Sequence, residues 1–265
     1  LLVTPGRSLL TELREAEIFV LSACGGRGAC GTCRVRVTEG APAPFTPSER
    51  LWLSDEDKTD GVRLACQVKV ERDLCIEVPK DAFSIQPYRT RVTSMSDLTY
   101  DIKEVQLTLL DPPEMNFKAG QFVQFKVPVH HAGPRSVETG SEDPFLYRSY
   151  SIASNPLSTH ELVFQVRLVP DGLCSTYIHR QMKVGDELTI LGPWGSVHLR
   201  DSDRDILFVA GGSGMSPIRS MLLDMANRRC RRKARYFFGA KSARDLYRMG
   251  EMREFENTLP DFRFV

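Results

Sequence analysis

The chain has 265 residues, of which 42% are hydrophobic and 26% are charged, and its formal net charge is +1. This near-neutral balance provides no long-range attraction to nucleic acid or to an anionic membrane. No run approaches the roughly 18 apolar residues of a membrane-spanning helix, and the first residues lack the order of a signal peptide. The length is typical of two or three domains.

The first predicted domain covers residues 1–85 and combines a short helix with short strands. Ser8 is suited to cap a helix over residues 9–16, in which three leucines share one face. Alternating apolar residues predict three strands, at residues 34–37, 67–70 and 76–78. A small mixed sheet with a helix across it would therefore hold the long loop between helix and first strand.

Four cysteines of this domain have a spacing that predicts a metal centre. They are Cys24, Cys30, Cys33 and Cys66. A [2Fe–2S] cluster needs four thiolates, and the glycines between the first three let backbone N–H groups approach the sulfurs. A structural zinc site, the alternative, usually takes two C-x-x-C pairs, and only Cys30 and Cys33 form one. An odd total argues against disulfides, so small apolar roles are expected for Cys75, Cys174 and Cys230.

A second predicted domain, residues 86–200, is rich in alternating strands that favour an antiparallel barrel. Its clearest strands are expected at residues 105–109, 122–127 and 162–168. Between the second and third of these strands, residues 130–143 are polar and predict an exposed loop. His130 and His131 are interpreted as loop residues, because no acidic or thiol partners lie near them in the sequence.

Two stretches of the barrel suggest a flavin. Arg148, Tyr150 and Ser151 would offer a guanidinium for a pyrophosphate, a ring for the flavin face and a hydroxyl for its polar edge. Residues 172–178 begin with a turn glycine and hydroxyl residues, and they predict a short helix whose N-terminus suits a phosphate. A strand and a capped helix without a ligand are the alternative interpretation.

The third predicted domain, residues 201–265, has the pattern of a nucleotide-binding unit. An apolar strand at residues 205–210, a glycine loop at 211–217 and a helix at 218–226 follow one another. The glycines would allow close approach of a pyrophosphate, although the loop is not the standard G-x-G-x-x-G. A basic run at residues 228–235 is interpreted as a solvated face.

Three motifs in this order resemble the ferredoxin–NAD reductase fusions of the ferredoxin-NADP reductase superfamily: residues 24–33, 148–151 and 211–217. Within it, the five residues between the first two cysteines, the segment 63–68 and the histidine pair look most like the NADH-oxidising subunit of sodium-translocating NADH:quinone reductase. The resemblance implies a multi-domain α+β and α/β fold. Its parts would be a β-grasp-like ferredoxin domain, a β-barrel FAD domain and the first half of a Rossmann-like NAD-binding domain.

The resemblance also implies roles for individual residues. The iron ligands would be Cys24, Cys30, Cys33 and Cys66. FAD would be held by Arg148, Tyr150, Ser151, Arg167, Gly172, Cys174 and Ser175. The nicotinamide nucleotide would meet Gly212, Gly214, Met215, Ser216 and Pro217. No general base is assigned, because hydride and electron transfer depend mainly on positioning.

The implied function is an NADH-dependent reductase that passes electrons through FAD and a [2Fe–2S] cluster to a partner such as a membrane quinone reductase complex. Two alternatives stay open: the reductase of a soluble multicomponent oxygenase, and an electron-transfer module without NADH turnover. Lys241 and Arg244 could hold a 2′-phosphate, so only the resemblance favours NADH over NADPH. The expected partners are an electron acceptor and NADH, without nucleic acid. The expected location is the cytoplasm or the cytoplasmic face of a membrane, reached through a preceding segment or a partner.

Overall fold

A computed structural model of the chain describes residues 1–40, 42–128 and 144–265. The described strands form three sheets, of three, six and three strands. These sheets lie in the first unit (residues 1–85), the barrel (86–200) and the third unit (201–265), whose boundaries stay a prediction. The expected loop at residues 130–143, with His130 and His131, lies outside the described residues.

The first unit is a small antiparallel sheet crossed by a helix. Its strands are β1 (Arg34–Glu39), β2 (Val62–Leu64) and β3 (Cys75–Glu77), in the order β2-β1-β3. Its helices are α1 (Leu9–Glu15), α2 (Pro47–Trp52) and α3 (Asp55–Thr59). Ser8 caps α1 as predicted, because its side chain accepts a hydrogen bond from the Thr11 backbone at 3.2 Å. The leucines of α1 share the core of this unit with β1 and β2.

Two expectations for the first unit are wrong. The strand predicted at residues 67–70 is reduced to a bridge between Ser8 and Lys69, because its backbone bonds go to the segment that leads into α1. Cys75 is exposed on β3 and is therefore not an apolar filler, whereas Cys174 is buried and Cys230 is half-buried.

The barrel is a six-stranded antiparallel sheet that curls on itself. Its strands are β4 (Gln86–Asp97), β5 (Ile102–Asp111), β6 (Phe122–Pro128), β7 (Phe145–Ser151), β8 (Glu161–Arg167) and β9 (Glu187–Trp194), in the order β7-β6-β9-β4-β5-β8. A bridge between Ile152 and Phe164 brings the two edge strands together. Helix α4 (Leu173–Arg180) buries Cys174 and Ile178 in the same core. The predicted antiparallel barrel is confirmed.

The third unit is a parallel sheet with helices between its strands, as predicted. The strands are β10 (Ile206–Gly211), β11 (Ala234–Gly239) and β12 (Phe262–Phe264), and the helices are α5 (Met215–Asn227) and α6 (Met249–Thr258). Both helices pack on the face that carries Phe208 and Tyr236. Leu207 and Val209, on the opposite face of β10, are 66% and 70% exposed, so the apolar strand is buried on one face.

Within the described ranges, no helix has both the length and the apolar character needed to cross a bilayer.

Candidate functional site

The four predicted cysteine ligands come together as two pairs of thiols. Cys24 is hydrogen-bonded to Cys30, and Cys33 is hydrogen-bonded to Cys66. The bond from Cys33 raises the pKa of Cys33 and lowers the pKa of Cys66 to about 6. Across the described part of the chain, no three His, Cys, Asp or Glu side chains converge like the ligands of a single ion. A [2Fe–2S] cluster has two irons that each take two thiolates, so the paired thiols fit its donor set.

Backbone N–H groups of the loop point at the sulfurs, as the glycine-rich sequence predicted. Burial alone would raise the pKa of Cys24, but hydrogen bonds from the loop outweigh it and lower that pKa. The backbone donors belong to Gly26, Arg27 and Ala29. Cys66 receives the backbone N–H of Gly28, and the Gln67 side-chain amide lies 3.5 Å from its sulfur. These donors favour negatively charged sulfur, the form that binds iron.

A buried ion pair fixes the chain just before Cys66. Glu49, which is fully buried, accepts hydrogen bonds from Arg63 Nε at 2.7 Å and from the Leu64 backbone at 3.1 Å. Burial would raise the pKa of Glu49, but the bonds from Arg63 and from the Thr46 and Leu64 backbones lower it below its ordinary value. The carboxylate therefore stays charged at neutral pH and holds α2 against β2, two residues from Cys66.

A cavity of about 1300 Å³ lies between the cysteine loop and the barrel. Gly25, Gly26 and Cys66 line one side. Six of the seven predicted flavin residues line the other: Arg148, Tyr150, Arg167, Gly172, Cys174 and Ser175. The volume exceeds the about 300–1,000 Å³ of ordinary ligand pockets, so an extended dinucleotide has room. Ser151 does not line the cavity; it pairs with Phe122 at the end of β7.

Arg148 reaches across the cavity to the cysteine loop. Its Nη1 donates to the Cys24 carbonyl at 3.0 Å and to its neighbour Tyr147 at 2.7 Å. Burial, followed by the nearby charge of Arg27, lowers the pKa of this guanidinium. Gly25 has φ +75°, and a Cβ there would lie 2.4 Å from the Tyr147 carbonyl oxygen. The loop therefore touches the strand that carries the predicted flavin residues.

Tyr150 and Cys174 are held together on the wall of this cavity. The Tyr150 hydroxyl donates to the Cys174 sulfur at 3.4 Å, and its ring meets Phe125 edge-on at 4.8 Å. Burial raises the pKa of the Cys174 thiol to about 11 and keeps the Tyr150 pKa well above its ordinary value. Both groups are therefore neutral at physiological pH. Their arrangement fixes the ring, while a contact between Cys174 and a pyrophosphate stays a prediction.

The turn before α4 is fixed by its own side chain. Ser175 Oγ accepts from the Val169 backbone N–H at 3.1 Å and donates to the Gly172 carbonyl at 3.1 Å. A Cβ on Gly172 would lie 2.6 Å from that oxygen, so the glycine is needed for the turn. With the Ser175 hydroxyl used inside the turn, the backbone N–H groups at the start of α4 are the donors for a ligand phosphate.

Arg167 lies between the cavity and the glycine loop of the third unit. Its Nε donates to Asp101 at 2.8 Å, which raises the pKa of Arg167. A Cβ on Gly212 would lie 3.2 Å from Arg167 Nη1. The predicted FAD residues and the predicted nucleotide loop are therefore neighbours through this side chain.

The predicted nucleotide residues form a tight turn, Gly212–Gly214, followed by α5. Met215 and Ser216 are buried, and Ser216 Oγ donates to Gln165 at 3.2 Å. A Cβ on Gly214 would lie 3.2 Å from the Ala210 side chain, so this glycine lets α5 pack closely on β10. Pro217 lines a cavity of about 740 Å³ along β10. Direct contact of these residues with a nucleotide stays a prediction.

Sequence reasoning missed three polar residues at the contacts between units. The Gln124 amide donates to the Ser22 carbonyl at 2.6 Å, and Gln165 accepts from Tyr247 Oη at 3.0 Å. Arg27 donates from Nε to the Cys24 carbonyl at 3.2 Å. The two glutamines are buried within apolar strands, and that interruption is the signal that could have found them.

Comparison with known families assigns each unit a cofactor class. Residues 1–71 match a 2Fe-2S iron-sulfur cluster binding domain, residues 89–199 an oxidoreductase FAD-binding domain, and residues 208–265 an oxidoreductase NAD-binding domain. These matches confirm the predicted [2Fe–2S], FAD and NAD cofactors and the oxidoreductase class.

Curated relatives, all Na(+)-translocating NADH-quinone reductase F subunits, match nearly the whole chain. The relative of Serratia proteamaculans is 35% identical over 269 residues, which are 91% of this chain and 66% of the relative. The relative of Neisseria meningitidis is 33% identical over 284 residues, covering 97% of this chain and 70% of the relative. The chain thus spans about two thirds of the length of these relatives.

A solved structure, the Amycolatopsis cytochrome P450 reductase GcoB, matches 99% of this chain and 76% of its own at a TM-score of 0.74 and 27% identity. It carries a comparable fold, whereas the sequence relatives share one name and match most of the chain at a third identity. With its [2Fe–2S], FAD and NAD domains in the predicted order, the chain belongs to the family of Na(+)-translocating NADH-quinone reductase F subunits.

Proposed function

We propose that this protein oxidises NADH and delivers the electrons one at a time to an acceptor complex, a membrane quinone reductase. The observation that supports this most is the cavity shared by the cysteine loop and the predicted flavin residues. When bound, FAD takes two electrons as a hydride and a [2Fe–2S] cluster takes one, so their adjacency matches a two-to-one electron step.

The residues of the chain bind and orient the cofactors. Cys24, Cys30, Cys33 and Cys66 are the proposed iron ligands. Arg148 and the turn at Gly172 supply donors to the flavin phosphates, and Tyr150 provides a fixed ring beside them. Arg167 and the glycine loop at Gly212 form the path by which the nicotinamide nucleotide reaches the flavin. The domain boundaries 1–85, 86–200 and 201–265 are part of this proposal.

The acceptor and the location follow from the relatives. Their names describe subunits of a sodium-translocating NADH-quinone reductase. A partner complex of that kind places this protein at the cytoplasmic face of a membrane, where NADH is available.

A second candidate function is the reductase of a soluble oxygenase system. It is favoured by the likeness over 99% of the chain to a cytochrome P450 reductase. The two candidates share cofactors and cavity, and they differ in the protein that receives the electrons.

An anaerobic titration with NADH, followed by visible absorption, tests both candidates. We expect bleaching of the flavin and then of the cluster, with about three electrons taken up per chain. Reduction of a membrane quinone reductase complex lacking its own NADH-oxidising subunit would support the first candidate, and reduction of an oxygenase alone the second. A protein that binds no flavin, or holds zinc after anaerobic purification, contradicts both.

A further inference from the structure

We propose that the cysteine loop itself helps to bind the flavin nucleotide: Arg27 of the loop and Arg148 of β7 form one anion site for the FAD pyrophosphate. The cofactor then contacts both sides of the cavity and joins the first unit to the barrel. This inference rests on the proposed FAD-dependent function and adds a residue from outside the barrel to its flavin site.

The two guanidinium groups converge on one neutral atom. Arg148 Nη1 lies 3.0 Å and Arg27 Nε lies 3.2 Å from the Cys24 carbonyl oxygen. A guanidinium has five N–H donors, and one carbonyl has two lone pairs. Most donors of both groups are therefore available for another acceptor. Neither arginine forms an ion pair with a carboxylate in residues 1–40, 42–128 and 144–265, and both line the cavity.

The wider cavity has an excess of positive charge. Its lining includes five cationic side chains, Arg14, Arg27, Lys69, Arg148 and Arg167. It includes two carboxylates, Glu71 and Asp171. Three of the five cations belong to the first unit, so a ligand held by the barrel alone would leave this half of the charge facing water. A pyrophosphate between the two walls offsets it and accepts bidentate bonds from each guanidinium.

Comparison of three flavins isolates the phosphate contact. FAD has a pyrophosphate, FMN one phosphate and riboflavin none. In Arg27→Gln we expect roughly tenfold weaker FAD binding, the loss of one charge-assisted hydrogen bond in a solvent-accessible position, and unchanged riboflavin binding. Dissociation constants are measured by titration of flavin-depleted protein at full iron content. Arg36→Gln is the matched control, because it removes the same charge from an exposed residue of the first unit that pairs with Glu77.

A measurement on the unmodified protein makes the test independent of how the variant folds. Phenylglyoxal modifies exposed arginines, and mass spectrometry follows Arg27 and Arg148 separately. FAD and inorganic pyrophosphate should protect both residues, and riboflavin should protect neither. Modification of Arg27 at the same rate with and without FAD overturns the inference.

The remaining outcomes are equally decisive. Equal weakening of FAD and riboflavin by Arg27→Gln would mean that the arginine only docks the loop, and it would overturn the anion site. Unchanged FAD binding in Arg27→Gln would do the same while leaving the proposed function intact. Absence of FAD binding by the unmodified protein would instead reject the proposed function.

Discussion

The barrel meets the first unit through apolar side chains and the third unit through charged ones. The first contact contains Phe19, Ile85, Tyr147, Leu191 and Trp194, all buried in one cluster. Its main polar bond is neutral, from the Gln124 amide to the Ser22 carbonyl. It also brings the Cys24 carbonyl to Arg148.

The second contact is a network of ion pairs and hydroxyl bonds. Arg219 Nη2 lies 2.7 Å from Glu251, and Arg248 pairs with both Glu251 and Glu104 of β5. Tyr247 adds hydrogen bonds to Gln165 and to the Gly212 carbonyl, at 3.0 and 2.9 Å.

The difference indicates distinct tolerances for movement. Apolar burial has little dependence on salt or pH, whereas partly exposed ion pairs are screened by salt and lost when a partner is neutralised. We therefore expect a fixed geometry between the cysteine loop and the barrel. The contact with the third unit should loosen more readily, at the place where a nucleotide must enter and leave.

The largest expected effect is loss of the cluster. Cys66→Ser removes one of four thiolates, and bound iron should fall from about two per chain to nearly none. Iron and acid-labile sulfide analysis measures it. Cys75→Ser, at an exposed thiol of the same unit, should keep full iron. Equal iron in both variants would contradict the ligand assignment.

Gly25→Ala tests whether the loop must touch the barrel. Gly25 and Gly6 both have positive φ, +75° and +88°, so alanine costs about 1–2 kcal/mol of unfolding free energy at either. Only at Gly25 does the new Cβ clash, with the Tyr147 carbonyl oxygen at 2.4 Å, whereas nothing lies within 4 Å at Gly6. We expect Gly25→Ala to cost about 1–3 kcal/mol more than Gly6→Ala in denaturant unfolding.

That variant should also weaken FAD binding, since the clash separates the two walls of the cavity. Equal stability and equal FAD affinity of the Gly25 and Gly6 variants would show that the loop is not packed on β7.

Gln124→Met tests the neutral bond of the first contact. Methionine keeps the length of the side chain but cannot donate to the buried Ser22 carbonyl, so unfolding should become about 1–3 kcal/mol easier. The penalty should be the same at low and high salt, because no ion pair is involved. Gln106→Met, on the exposed side of β5, should change stability by less than about 0.5 kcal/mol. A salt-dependent penalty at Gln124 would break the contrast between the two contacts.

Local patterns predicted the elements whose periodicity is strong. The apolar face of α5 and the alternating strands β5, β6 and β8 are present where expected. β4 was missed because its buried residues, Tyr88, Thr90 and Val92, alternate with arginines over a largely exposed strand. The segment 67–70 has the composition of a strand, but its partner is the irregular chain before α1.

The site was predictable only as far as its ligands lie close in sequence. Cys24, Cys30 and Cys33 share one loop, and their spacing is enough to indicate iron. Gln124 and Ser22 are 102 residues apart, and Arg148 and Cys24 are 124 apart, so no local pattern could bring them together. The contribution of the first unit to the flavin cavity is visible only in the folded chain.

The smallest effect expected concerns the charged contact at low pH. Burial would raise the pKa of Glu251, but Arg219 and Arg248 outweigh it, so the pKa lies below the ordinary 4.5. A carboxyl with a lowered folded pKa stabilises the fold above its unfolded pKa, and that contribution disappears as pH falls through the folded value. Glu251→Gln should therefore cost about 1 kcal/mol at pH 7, less at high salt, and nothing below about pH 3.

Glu187→Gln is the control, because Glu187 pairs with Arg89 and Arg91 on the exposed barrel surface and touches neither neighbouring unit. Hydrogen exchange of α5 and α6 at pH 7 and pH 4 separates the two variants. Glu251→Gln should speed exchange in both helices at pH 7 and leave the segment around Phe19 unchanged. Faster exchange around Phe19 would mean that the two contacts open together, and the distinction between a fixed and an adjustable junction would fail.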